Sequence, residues 1–93
     1  MAPNGAMERE RAREERRQRK AAEALAAQVA SLEIQIHAGE ERLAAIEQRL
    51  AAASHAADVE RIEMLAVEHQ KTQADIEALL QTWSALVERA EAA

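Results

Sequence analysis

The chain has 93 residues, a net charge of −5, no cysteine, and one Trp with no Phe or Tyr. That length allows one small domain, and the missing thiols exclude a disulfide framework and thiolate chemistry. No apolar run approaches the roughly 20 residues a bilayer span needs, and the N-terminus lacks the apolar core of a signal peptide, so a cytoplasmic location is expected.

The charge is unevenly spread. Residues 8–20 hold seven basic and four acidic side chains, a local +3, and the remainder of the chain is −8. Two glycines and one proline leave little to interrupt a helix. The expected fold class is all-α.

Residues 1–7, with Pro3, Asn4 and Gly5, read as a disordered leader. Residues 8–20 follow as a basic helical arm or linker. Glu14 and Arg17 stand three apart, and Glu15 and Arg19 four apart, in the order that supports a helix. The apolar repeat begins beyond Lys20.

Ala22, Val29, Ile36, Leu43 and Leu50 are seven apart. A second row, Leu25, Leu32, Gly39, Ile46 and Ala53, follows each by three. After the apolar-anchor-free stretch Ala51–Ala57, the repeat resumes with Ile62, His69, Ile76, Trp83 and Ala90. Leu65, Thr72, Leu79 and Leu86 accompany these, flanked by Ala66, Leu80 and Val87. Such an a/d pattern keeps one helix seam against a partner helix.

The expected architecture is an antiparallel two-helix coiled-coil hairpin over residues 21–91. Its first helix runs to about residue 53, a turn to about 57, and a second helix from about 58 to 91. Ser54 or Asp58 is expected to cap the second helix. A turn centred near residue 55 pairs residues whose numbers sum to about 110. Trp83 then falls level with Ala26, Ala27 and Ala30, Gly39 falls level with His69 and Thr72, and His37 comes near His69. One thin seam is marginal alone, so Ile34, Met64 and Val67 are expected to be exposed for docking. Self-association into a four-helix assembly is expected.

No catalytic set, cofactor site or metal site is legible. A phosphate-binding loop needs two glycines and a lysine at fixed spacing, which Gly5 and Gly39 cannot supply. His37, His55 and His69 are the only imidazoles, and none forms the i, i+4 pair of a helical zinc site. His69 reads as a polar seam position that pins register, Gly39 as a point of close helix approach, and His55 as a loop residue. The chain is not expected to be an enzyme. The residues that would meet nucleic acid phosphates are Arg9, Arg11, Arg13, Arg16, Arg17, Arg19 and Lys20. Four interleaved carboxylates oppose this, and residues 8–20 hold no aromatic to stack on bases.

Glu23-Ala24-Leu25, Val29, Ser31-Leu32-Glu33, Ile36, Leu43, Ile46-Glu47 and Leu50 form a pattern that resumes at Asp58, Glu60-Arg61-Ile62, Leu65 and Glu68. It ends with Ile76-Glu77-Ala78-Leu79-Leu80, Trp83, Leu86 and Glu88. Residues 21–91 so read resemble the C-terminal coiled-coil domain of ABC-F ATPases of the Uup type. The Trp three residues after a Leu-Leu pair is the most specific element. Ala26 stands where that family often has Pro, Thr82 where it often has Arg, and the turn lacks its Asp-Pro and Tyr. The resemblance implies a module at the end of a twin-cassette ATPase that acts on ribosomes or in DNA transactions. Such a module binds DNA or ribosomal RNA or helps the ATPase dock, with the basic arm as tether. A free-standing structural coiled coil that joins proteins is the alternative.

Overall fold

A computed structural model describes residues 3–93. It contains two helices, α1 (Pro3–His55) and α2 (Val59–Ala92), which pack antiparallel as one hairpin. The molecule is a rod of 85 × 15 × 15 Å with a radius of gyration of 23.1 Å. A globular chain of this length has about 12 Å. The exposed surface is 7292 Å², against about 5,400 Å² expected for a compact monomer of this mass.

α1 begins earlier than the sequence suggests. Residues 3–7 are helical rather than a disordered leader, and residues 1 and 2 lie outside the described residues. It runs through Ala51-Ala52-Ala53 as expected and on to His55, about two residues past the expected end, because Ala is the best helix former and nothing there competes for the backbone.

The stop comes at Ala57, whose φ is 55°. The Ala57 amide donates to the Ser54 carbonyl at 3.1 Å and the Asp58 amide to the Ala53 carbonyl at 3.0 Å. These are the two bonds of a Schellman motif, with Ala57 where glycine is usual. Asp58 then caps α2, its Oδ1 accepting from the Arg61 amide at 3.3 Å, and Glu60 adds negative charge to the first turn. Of the two candidate caps, Asp58 serves. Ser54 lies inside α1, and so does His55, its last residue.

The seam residues Leu25, Val29, Leu32, Ile36, Leu43, Ile46, Leu50, Ile62, Leu65, His69, Ile76, Leu79, Trp83 and Leu86 are all buried or half-buried. The best-buried cluster is Ile46, Ala53 and Leu65, with Leu50 and Ile62 packed against it, close to the turn. Among the described residues no side chain is fully enclosed. One seam between two helices covers each residue on one side only, so the core is a line rather than a volume.

The register differs from the expected one. Trp83 meets Glu33, His69 meets Glu47, and Ile76 meets Gly39, so paired numbers sum to 115 or 116. The later turn and the tight packing beside it move the reversal point toward the C-terminus. Trp83 therefore does not sit on Ala26, Ala27 and Ala30, and Gly39 does not meet His69 and Thr72. His37 and His69 are offset by nine or ten residues, about 14 Å along the rod.

Candidate functional site: a cationic arm on an acidic hairpin

α2 ends level with Ala22. Gln18, Ala21, Ala22 and Leu25 line one groove with Arg89 and Ala93. Residues 3–21 therefore project beyond the base of the hairpin as a single unpartnered helix, about 28 Å long at 1.5 Å per residue.

On this arm Arg9, Arg11, Arg13, Arg16, Arg17, Arg19 and Lys20 are all exposed. At about 100° per residue, six of the seven cations share an arc of roughly 160°. Arg9, Arg13, Arg16 and Lys20 run straight along its middle. Glu8, Glu10, Glu14 and Glu15 lie on the opposite side with Arg11. Carboxylates that alternate with arginines in the sequence are thus segregated from them in space.

Two ion pairs stiffen the border between the faces. Arg13 meets Glu10 at 3.1 Å and Arg17 meets Glu14 at 2.6 Å. The hydrogen bond and charge of Arg17, with help from Gln18, hold the Glu14 carboxyl below its ordinary range. Among the described residues, Arg9, Arg11, Arg16, Arg19 and Lys20 have no ion-pair partner.

The hairpin beyond the arm has two unlike flanks. On one flank Arg42 and Arg49 line a groove with Glu68, Lys71 and Asp75. It continues past Gln35, Ala38 and Thr82. Three cations there face two carboxylates. On the other flank Glu33, Glu40 and Glu47 stand seven apart on α1. Glu33 accepts from the Trp83 indole N–H at 3.3 Å, and Glu47 lies 3.4 Å from His69 Nε2. The Trp83 indole and the His69 ring, two polar groups on the α2 seam, are thus met from the flank of α1. Glu40, between them, lies level with apolar Ile76.

His37 is on the surface, paired with Glu41 at 3.0 Å. Among the described residues no group of three or more His, Cys, Asp or Glu is arranged to hold a metal ion. No helix among them is long and apolar enough to cross a membrane. The concavities are shallow grooves along the helix pair.

Sequence reasoning named the seven cations but missed their segregation onto one face. The signal was the i, i+4, i+7, i+11 spacing of Arg9, Arg13, Arg16 and Lys20. Comparison with protein families, curated proteins and solved structures finds no match.

Proposed function

We propose that this chain is a non-catalytic coiled-coil binding module whose basic arm contacts the phosphate backbone of a nucleic acid, DNA or ribosomal RNA. The observation that carries the reading is the arm itself, a projecting helix with six cations on one face and its carboxylates behind them. Such a face contacts phosphates without reading bases, because it has arginines for the backbone and no aromatic for stacking. The acidic hairpin is held away from the polyanion and serves as a spacer and handle. The resemblance to the terminal coiled coil of ABC-F ATPases supports the same reading, with the hairpin helping the cassettes dock and the arm as the tether. A cytoplasmic location follows from it.

The test is a salt titration of binding to duplex DNA and to ribosomal RNA, with the full chain and a version starting at Ala21. Four to six phosphate contacts give a log–log slope of about −4 to −5, or a loss of roughly 300- to 1,000-fold between 50 and 200 mM salt. Binding should vanish on truncation. Equal binding by both forms, or none by either at low salt, would overturn the reading.

A second reading, a structural coiled coil that joins proteins, is favoured by the exposure of Ile34, Met64 and Val67, at 71, 68 and 67%. They occupy outer positions that the seam does not use. Complete loss of a protein partner on Ile34→Ser or Met64→Ser, with nucleic acid binding absent throughout, would support it.

A further inference from the structure

The cationic face of the arm does not stop where the hairpin begins. α1 is one continuous helix of 53 residues, about 80 Å long at 1.5 Å per residue. It lies in a rod of 85 × 15 × 15 Å, so it is straight enough to carry one face from end to end. Eleven residues make three turns of a straight helix. Arg9, Lys20, Ser31 and Arg42 are eleven apart, and so are Arg16, Ala27, Ala38 and Arg49. Together with Arg13 these two rows fall within an arc of about 80°. All of them are exposed.

No carboxylate of α1 lies in that arc. Glu23 and Glu41 come closest, about 20° beyond its edge, and Glu33 and Glu40 stand roughly 150° from its centre. The hairpin is acidic as a whole, but the back of α1 is not. Near the turn the line passes beside the groove that holds Arg42, Arg49 and Lys71. The two carboxylates of that groove, Glu68 and Asp75, belong to α2. Among the described residues Arg42, Arg49 and Lys71 have no ion-pair partner.

The charge on this line comes in two clusters. Arg9, Arg13, Arg16 and Lys20 form the first, and Arg42 and Arg49 the second. Between them stand Ala24, Ala27, Ser31, Ile34 and Ala38, all uncharged. Lys20 and Arg42 are 22 residues apart, about 33 Å along the helix. One turn of B-form DNA is about 34–36 Å. A duplex is also straight over the roughly 60 Å from Arg9 to Arg49, because its persistence length is about 500 Å. A single strand has no such fixed spacing.

We infer that α1 is a two-point ruler for duplex DNA, its arm cluster and the Arg42/Arg49 cluster meeting phosphates one helical turn apart on the same side of the duplex. This rests on the arm as a phosphate contact and extends it to a length: about 18 base pairs at 3.4 Å each. The uncharged stretch spans the groove between the two phosphate rows. The Glu33/Glu40 flank is held off the polyanion by its rotation around α1, and α2 lies beside the contact.

The test is the affinity of the full chain and of an Arg42→Gln, Arg49→Gln variant for DNA duplexes of about 10 base pairs, one turn, and about 24. Neither arginine has an ion-pair partner to lose, and circular dichroism checks that the variant keeps its helices. On the longer duplex at about 100 mM salt the variant should bind roughly fivefold or more weakly, with a log–log salt slope shallower by about 2. On the shorter duplex, which covers the arm alone, the two chains should bind alike. Equal binding of the longer duplex by both chains would overturn the ruler and leave the arm contact standing. An equal loss on both lengths would also overturn it, since the two arginines would then act as net charge without regard to spacing. No binding of either duplex by the natural chain would remove the arm contact and the ruler together.

Discussion

Gly39 is the buried residue of the seam at which a single methyl group decides whether the helices fit. A Cβ built there lies 2.9 Å from Ile76 Cγ1 and 3.5 Å from its Cδ1. The first distance is well inside van der Waals contact, and Ile76 is β-branched, so its χ1 in a helix is nearly fixed. Gly39→Ala therefore sets two effects against each other. Helix propensity favours Ala by about 1 kcal/mol. Overpacking a seam typically costs about 1–3 kcal/mol. With the intruding atom on the stiff stem of Ile76, the cost should win by about 1 kcal/mol. In an Ile76→Ala background the obstruction is gone and the same substitution should stabilise by about the full propensity difference. The sign of the effect thus reverses between backgrounds, with a coupling of about 2 kcal/mol. Urea unfolding followed by circular dichroism, at one fixed protein concentration because association adds to apparent stability, measures all four corners. If Gly39→Ala stabilises the natural chain by as much as it stabilises the Ile76→Ala chain, the close approach is wrong and the register with it.

Two further substitutions probe the turn and the Trp. Ala57→Gly should stabilise by about 0.5–1 kcal/mol, because the left-handed backbone costs an L-residue about 1–2 kcal/mol and glycine returns part of that as unfolded-state entropy. Thermal unfolding should rise by a few degrees, and a fall would mean that residue 57 is not left-handed in solution. Trp83→Ala should cost about 2 kcal/mol rather than the roughly 3–5 of a fully buried indole, since Trp83 is half-buried. Trp83→Phe should lose only about 0.5–1.5 kcal/mol, the worth of its bond to Glu33. Unchanged unfolding in both variants would make Trp83 a docking residue.

The seam was legible because its information is periodic. A side chain every three or four residues needs only local geometry to identify its face, and the fourteen residues read in this way are all buried or half-buried. Register was not legible by the same means. Sliding one heptad past another keeps apolar residues opposite apolar residues, so the a/d rows alone do not choose among alignments. The choice is made by the turn and by the flanks. Ala51–Ala57 offers no break in propensity, and its exit depends on Ala57 entering a backbone region that Ala disfavours. The flanks did carry the answer. Glu33 with Trp83 and Glu47 with His69 share one alignment, and Arg42 with Asp75 and Arg49 with Glu68 fall within one residue of it. Reading charge across the helix pair, and not only along each helix, would have found it.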